Sequence, residues 1–175
     1  MNAFDLTDGV VLLRKPAEAD VDRIFELCQD PDIQEWTAEL PSPYQRADAE
    51  IFVRELAPRA WLEDRPVWGI CDAATSSLSG MVGVDLGTDG EVGFWMGADS
   101  RNRGWTTRAL RLVAESAFEH GADHLRWRAF VGNHASWKVA SAVGFRMDGT
   151  VRRAILQRGV WRDAWVATLL PEEVR

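Results

Sequence analysis

Three short apolar runs separated by brief polar turns constrain the fold of this chain more than any other feature. The runs are PVWGICD (66–72), LSGMVGVDL (78–86) and EVGFWMGA (91–98), and the segments AATSS and GTDG lie between them. Connections of five and four residues are too short for the crossover that parallel neighbours require. The sequence therefore predicts a meander of three antiparallel strands.

Apolar residues at helical spacing predict two helices before this meander. The first lies between 17 and 30 and ends before Pro31, and the second lies between 41 and 64, where Pro58 is expected to bend or interrupt it. The predicted buried residues are Val21, Ile24, Phe25 and Cys28 in the first helix, and Ala49, Phe52, Val53 and Leu56 in the second.

After the meander the pattern predicts a helix from about Thr106 to His120, a strand at 124–131 and a helix with Asn133 as its N-cap. Further strands are expected at 10–16, 145–152 and 163–170. The order is β-α-α-β-β-β-α-β-α-β-β, an α+β fold with a mixed, mainly antiparallel sheet and flanking helices. We expect residues 1–175 to form a single domain.

Composition narrows the functional classes. The formal net charge of −7 argues against a nucleic-acid-binding protein. The beginning of the chain has no basic segment followed by an apolar one, and no apolar run reaches the length of a membrane span, so we expect no membrane association and a cytoplasmic location. Cys28 and Cys71 are isolated, which favours buried thiols over a disulfide framework or a metal site.

The segment RNRGWTTRAL (101–110) lies between a predicted strand and a predicted helix. The first turn of a helix offers free N–H groups and the positive end of its dipole, which together bind phosphate oxygens. Gly104 allows close approach of the backbone, and Arg101, Arg103 and Arg108 add positive charge. The alternative interpretation is an ordinary glycine turn with solvated arginines, and the turn alone does not discriminate between the two.

This segment resembles the pyrophosphate loop of the GNAT N-acetyltransferases, Arg/Gln-x-x-Gly-x-Gly/Ala. NHASWKVASAVGF (133–145) resembles the family's Asn-x-x-Ser helix ending in Gly-Phe, and GVWRDAWVATLL (159–170) its closing Gly-x-x-x-Asp strand. Together with VLLRKPAEADVDRIFEL (11–27), the resemblance spans nearly the whole chain and points to the RimJ/RimL-type branch. Thr106 replaces the usual Gly or Ala, and Asn102 stands where many members carry Gly; neither should abolish binding.

The resemblance implies acetyl-CoA, or another acyl-CoA, as co-substrate and no metal. In the family, pantetheine adds like a β-strand to the strand before the loop, with an N–H near Met96 facing the thioester carbonyl. Trp105 either shields the cofactor or packs under the loop. The cofactor-binding residues implied in this way are Phe94, Trp95, Met96, Arg101, Asn102, Arg103, Gly104, Trp105, Thr106, Thr107, Asn133 and Ser136.

Two catalytic residues are candidates. Ser136 matches the serine proposed in RimL-like members to protonate the leaving thiolate, although a residue at this helical position could instead help Asn133 to cap the helix. The RimL-like carboxylate would fall near Ile155, which cannot accept a proton. Glu91 resembles the strand glutamate that other GNAT branches use through water, although a surface glutamate is the competing interpretation. The remaining candidates for the base are Asp85, Glu35, His124, His134 and water alone.

The resemblance therefore implies direct transfer of an acetyl or other short acyl group from acyl-CoA to an amine, such as a protein N-terminus or a small molecule. The segment DIQEWTAELPSPYQ (32–45) is where the family places acceptor recognition. The enzyme would act as a monomer or a homodimer. One alternative is an acyl-CoA-binding module without turnover. Another is a Rossmann-type nucleotide-binding domain, which RNRGWT fits poorly because it lacks Gly-x-Gly-x-x-Gly.

Overall fold

The three apolar runs form consecutive antiparallel strands of one mixed sheet in the computed structural model, which describes residues 3–87 and 90–175. In that part of the chain the sheet has eight strands in the order β1-β2-β3-β4-β5-β6-β8-β7. All neighbours are antiparallel except β5 and β6. The strands are β1 (Leu6–Thr7), β2 (Val11–Arg14), β3 (Val67–Asp72), β4 (Leu78–Asp85), β5 (Glu91–Met96), β6 (Leu125–Phe130), β7 (Arg146–Gln157) and β8 (Val160–Leu169).

Helices pack on both faces of this sheet, so the predicted α+β class is confirmed. They are α1 (Val21–Leu27), α2 (Pro31–Trp36), α3 (Arg46–Ile51), α4 (Ala57–Leu62), α5 (Trp105–Glu119) and α6 (His134–Val143). One buried cluster lies between the sheet and helices α5 and α6, and includes Trp68, Val113 and Trp127. A second lies under α1 and α3 and includes Ile24 and Met81. Within the described ranges, none of the helices has the length and apolarity needed to cross a bilayer.

The segment after α1 differs from the prediction because a further helix, α2, begins at Pro31. Helix α1 stops at Leu27, and Pro31 occupies the first position of α2, where its missing N–H costs nothing. The Asp30 side chain caps this helix by accepting a 2.9 Å hydrogen bond from the Asp32 N–H. Part of the predicted acceptor-recognition segment is therefore helical.

The second predicted helix is interrupted next to Pro58, as expected, because a proline cannot bond to the carbonyl four residues before it, here that of Arg54. A π-helical turn at Phe52–Leu56 separates α3 from α4, and the Ala57 N–H bonds to the Phe52 carbonyl, five residues back. The extra residue in this turn rotates the following side chains. Leu56, predicted to be buried, is therefore 52% exposed, while Ala57 is fully buried in its place.

The last two strands are longer than predicted and meet in a tight hairpin. A two-residue turn at Arg158 and Gly159, both with positive φ, joins β7 to β8. Irregular pairing between Val151 and Ile155 bends β7, and the Asp163 carboxylate accepts a 2.9 Å hydrogen bond from the Arg153 N–H there.

Two short segments differ from the prediction or lie outside it. The sequence pattern did not predict strand β1 (Leu6–Thr7). The predicted GTDG turn includes Thr88 and Asp89, which lie outside the described residues.

Candidate active site

Strands β5 and β6 are parallel neighbours that pair only at their beginnings. Glu91 is in register with Arg126, and Val92 with Trp127. Beyond this point β5 continues along β4 as far as Met96, and β6 continues along β8 as far as Phe130. The two strands therefore diverge, and the backbone edge of residues 93–96 faces a wedge in the middle of the sheet.

Two helices begin at the open end of this wedge. Because β5 and β6 are parallel, their carboxyl ends lie at the same edge of the sheet. Helix α5 begins nine residues after Met96, and helix α6 begins four residues after Phe130. Both positive helix ends are thus placed near the mouth of the wedge, where an anionic ligand would be stabilised.

The loop that enters α5 has the backbone conformation of an anion-binding turn. Asn102 has a φ of 61° and Gly104 a φ of 74°, both in the left-handed region. The N-cap Gly104 provides no side-chain acceptor, and the first helical bond joins the Arg108 N–H to the Gly104 carbonyl. The N–H groups of residues 105–107 are therefore available to phosphate oxygens. The left-handed backbone conformation of Asn102 is one that glycine adopts most easily, which agrees with the glycine that resembling loops carry at this position.

The three arginines of the loop differ in what they contact. The Arg101 guanidinium donates to the Met96 carbonyl at 3.1 Å and to carboxylate oxygens of Asp30 and Asp32. Arg108 binds the Asp8 carboxylate at 2.7 Å. Arg103 is exposed, and its guanidinium carbon lies 5.3 Å from the centre of the Trp105 ring. Arg101 and Arg108 therefore hold the loop in place, and Arg103 has the guanidinium most accessible to a phosphate.

The aromatic residues around the wedge divide between the two faces of the sheet. Phe94 and Trp105 are half-buried and pack against the cluster under α5 and α6. Trp95 packs against the cluster under α1 and α3. The packing of Trp105 agrees with the interpretation that it supports the loop from below. Met96 is buried, and its carbonyl is the acceptor of the Arg101 hydrogen bond.

Ser136 lies in the first turn of α6 and contacts Trp127, the last residue of β6 that pairs with β5. Its hydroxyl accepts a 3.0 Å hydrogen bond from the Trp127 indole N–H. Its backbone N–H donates to the Asn133 side chain at 3.1 Å, which confirms Asn133 as the predicted N-cap. The Asn133 N–H bonds to the Phe130 carbonyl rather than to Ser136, so the hydroxyl of Ser136 does not cap this helix.

Glu91 lies at the closed end of the wedge, with its side chain 41% exposed, and accepts a 3.1 Å hydrogen bond from Arg128. Gly93 follows on the same face of β5, and a Cβ added there would meet nothing within 4 Å. The space next to the Gly93 backbone is therefore open on the face of β5 that carries Glu91.

The other predicted bases are held in different contacts. Asp85 accepts from the Gly87 N–H at 3.0 Å, and Glu35 pairs with Arg162 at 3.4 Å. The His134 ring packs against Trp165. His124 lies in the connection between α5 and β6, directly before Leu125. Ile155 faces Arg162 across the hairpin, so β7 provides no carboxylate at this register.

In the described ranges, no group of three or more His, Cys, Asp or Glu residues could hold a metal ion.

Helix α2 links the loop before α5 to the β7–β8 hairpin, a connection that the sequence analysis did not predict. At its amino end Asp30 and Asp32 bind Arg101 of the loop. At its carboxyl end the Gln157 side chain donates to the Glu35 carbonyl at 2.9 Å, and Arg158 donates to the Gln34 carbonyl at 2.8 Å. The helix thus joins the candidate cofactor loop to the tip of the β7–β8 hairpin. A helix N-cap followed by proline, Asp30-Pro31, was the available sequence signal.

Comparison with known proteins identifies the family. Residues 11–146 match the model described as the acetyltransferase (GNAT) domain. The chain belongs to this family. The match confirms the predicted resemblance, and the GNAT assignment agrees with the wedge and the helix-capping loop described above.

A curated relative and two solved structures extend the comparison. The chain is 28% identical over 102 residues to the putative ribosomal N-acetyltransferase YdaF of Bacillus subtilis; the match covers 55% of this chain and only 56% of that protein. The microcin C7 self-immunity acetyltransferase MccE, solved with acetyl-CoA and AMP, has a TM-score of 0.82 at 19% identity, covering 94% of this chain and 93% of MccE. RimL, the ribosomal L7/L12 alpha-N-protein acetyltransferase solved with coenzyme A, has a TM-score of 0.82 at 15% identity, covering 97% and 98%. The structural matches confirm the predicted GNAT fold.

Proposed function

We propose that this chain is an acyl-CoA-dependent N-acetyltransferase that transfers an acetyl group directly to an amine in a ternary complex. The observation that carries the proposal is the wedge between β5 and β6, with the start of α5 at its mouth. An exposed strand edge provides hydrogen bonds for an extended amide-containing chain, and the helix start provides N–H groups for a diphosphate. Pantetheine joined to a pyrophosphate combines both features.

The binding residues follow from this geometry. The backbone of Phe94, Trp95 and Met96 would pair with pantetheine, and the N–H groups of 105–107 would bind the pyrophosphate with help from Arg103. Asn133 lies at the start of the second helix and would border the pantetheine arm. Acyl-CoA supplies the activated thioester. A backbone N–H near Met96 would stabilise negative charge on its carbonyl oxygen.

Proton transfer requires a donor and an acceptor. The Ser136 hydroxyl would donate its proton to sulfur as the carbon–sulfur bond breaks, and solvent would return a proton to the serine oxygen. The attacking neutral amine forms the new carbon–nitrogen bond and loses one proton through water to Glu91, which then releases that proton to solvent. The open space beside Gly93 supports this path. The products are an amide and the free thiol, so protons and charges balance.

The acceptor belongs to the same proposal. A protein N-terminus, as the description of RimL as an alpha-N-protein acetyltransferase gives for that protein, or a small-molecule amine would enter along α2 and the β7–β8 hairpin. There the Trp36 and Phe130 rings lie 6.4 Å apart, and the Arg162 guanidinium lies 4.8 Å from the Phe130 ring. The net charge of −7 is compatible with a cationic acceptor rather than a nucleic acid.

We further propose that residues 1–175 act as one domain, as a monomer or homodimer, in the cytoplasm. The buried, free thiols of Cys28 and Cys71 fit a reducing compartment. Burial raises the pKa of the Cys71 thiol to about 11, so it is not a reactive thiolate at neutral pH.

The decisive experiment measures thiol release from acetyl-CoA against a panel of peptides with free N-termini and small amines. Acceptor-dependent thiol release, with the acetylated amine identified by mass spectrometry, is the expected result. Calorimetric binding of acetyl-CoA without turnover for any acceptor would instead favour an acyl-CoA-binding module. Ile155 in place of a carboxylate, and the Arg128 partner of Glu91, are the observations that favour that second candidate.

A further inference from the structure

The hydrogen bond between Trp127 and Ser136 can point in only one direction. The indole N–H of Trp127 lies 3.0 Å from the Ser136 oxygen, and an indole nitrogen donates but does not accept. Ser136 is therefore the acceptor, and its own hydroxyl hydrogen is directed elsewhere. Among residues 3–87 and 90–175, no protein acceptor for that hydrogen is found. The arrangement leaves the serine proton available to another acceptor.

Trp127 has a fixed position relative to the wedge. It is the last residue of β6 in register with β5, opposite Val92, and it is only 1% exposed. Its ring lies 5.5 Å from that of Trp137, one residue after Ser136 in α6. The Ser136 backbone is held separately by the Asn133 cap. Ser136 is thus fixed by its backbone and through its oxygen, close to the point where the strands separate.

We propose that Trp127 is a positioning residue that holds the Ser136 hydroxyl in the orientation required to protonate the leaving sulfur. This inference rests on the role of Ser136 proposed above. As the Ser136 proton moves to sulfur and the carbon–sulfur bond breaks, negative charge develops on the serine oxygen. The Trp127 N–H keeps its proton throughout, and its hydrogen bond strengthens as that charge develops. Solvent then restores the serine proton.

The hydrogen bond itself is tested without turnover by nitrogen–proton correlation spectra of the labelled protein. The nine tryptophans give nine indole signals, and the Trp127 signal is assigned by its loss in Trp127→Phe. Ser136→Ala should shift this signal, because the donor loses its acceptor. Ser141→Ala is the matched control, since Ser141 lies on the same helix and its hydroxyl bonds to the Lys138 carbonyl. A Trp127 signal equally unmoved by both changes would overturn the proposal.

The role in catalysis is tested by a double-mutant cycle. Trp127→Phe retains an aromatic ring and removes the donor; it should lower kcat by roughly 3- to 10-fold and leave KM for acetyl-CoA nearly unchanged. In a Ser136→Ala background the same change should have no further effect on kcat. Trp137→Phe is the packing control, because it removes ring volume beside Trp127 but leaves the hydrogen bond. It should leave kcat close to that of the wild type.

The outcomes separate this inference from the proposed function. If Ser136→Ala lowers kcat but Trp127→Phe does not, the serine role stands and the positioning role of Trp127 is wrong. Equal effects of Trp127→Phe in the two backgrounds would also overturn it, because the tryptophan would then act through packing. A wild-type protein without turnover for any acceptor contradicts the proposed function, while the spectra still report on the hydrogen bond.

Discussion

The side chain of Arg101 donates a 3.1 Å hydrogen bond to the carbonyl oxygen of Met96, the last residue of β5. The same guanidinium binds Asp30 and Asp32 at the start of α2. One side chain thus joins the end of β5, the loop before α5 and the start of α2. Arg101 contributes to the site through the position of the backbone around it.

Replacing Arg101 should therefore reduce stability as well as cofactor binding. Arg101→Ala leaves Asp30 and Asp32 without their partner, and Asp30 is only 16% exposed. We expect the free energy of unfolding to fall by about 1 kcal/mol in urea denaturation. Arg108→Ala is the control, because its pair with Asp8 is more exposed. Equal losses in the two variants would show that the link through Arg101 has no special stabilising role.

Reversing the charge at Arg103 should weaken acetyl-CoA binding with little change in stability. Arg103 is exposed at the start of the loop, so Arg103→Glu puts a negative charge beside the proposed pyrophosphate position. We expect Kd, measured by calorimetry, to rise by about 10-fold or more. Arg111→Glu makes the same change in net charge along α5, away from the loop. An unchanged affinity for Arg103→Glu would exclude this loop from the binding site.

Removing the Ser136 hydroxyl should slow the chemical step. Ser136→Ala is expected to lower kcat by roughly 10²-fold or less, while Kd for acetyl-CoA stays nearly unchanged. The unfolding free energy should also fall by about 1 kcal/mol, because the Trp127 N–H loses its acceptor. Steady-state kinetics and urea denaturation measure the two effects separately. A variant with reduced stability and normal kcat would assign Ser136 a structural role alone.

The pH dependence of kcat/KM distinguishes Glu91 from solvent as the base. If Glu91 accepts the proton through water, the pH at which kcat/KM levels off should stay constant when acceptors of different basicity are exchanged. Glu91→Gln should then lower kcat/KM by about 10²-fold and remove that inflection. Asp85→Asn, on the neighbouring strand in register with Glu91, is the matched control. An inflection that follows the amine, with Glu91→Gln fully active, would contradict the assignment.

The Arg14–Asp20 pair should make stability depend on pH in the acidic range. Burial alone would raise the pKa of Asp20, but hydrogen bonds from Arg14 and the Ala17 N–H outweigh it and hold the pKa below its ordinary value of 3.8. The stabilisation is therefore complete above the ordinary value and is lost as pH falls through the lowered one. Asp20→Asn should cost about 2 kcal/mol at neutral pH. Urea denaturation between about pH 6 and pH 3 should show a smaller loss for this variant than for the wild type.

Much of the fold could be predicted because its elements have local signals. The strands of the meander and helices α5 and α6 follow apolar periodicity, turn residues and caps that lie within each segment. Helix α2 is different, because residues distant in sequence hold both of its ends. Arg101 binds Asp32 at its amino end, and Gln157 donates to the carbonyl of Glu35, 122 residues away, at its carboxyl end. Such long-range contacts leave no periodic pattern.

The local backbone conformation of the candidate site could be predicted from the sequence, whereas the long-range contacts of its side chains could not. The sequence predicted that Gly104 lies at a helix start, and its left-handed φ of 74° is a conformation that glycine adopts without steric cost. It did not predict that Arg101 and Arg108 bind carboxylates that are distant in sequence. The partner of Ser136 could not be predicted either, since the hydrogen bond with Trp127 depends on how α6 packs on β6.

The short pairing between β5 and β6 has a thermodynamic consequence. A sheet whose central strands part after two paired positions contains an internal edge, and a ligand that pairs with residues 93–96 would extend the hydrogen-bonded sheet. Such a ligand binds the native chain and not the unfolded one, so it adds its binding free energy to the folding equilibrium. At a concentration roughly 100-fold above Kd, this contribution is about 2.7 kcal/mol. Folding and substrate supply are thereby coupled, and the protein should resist heat and proteolysis best when its acyl donor is abundant.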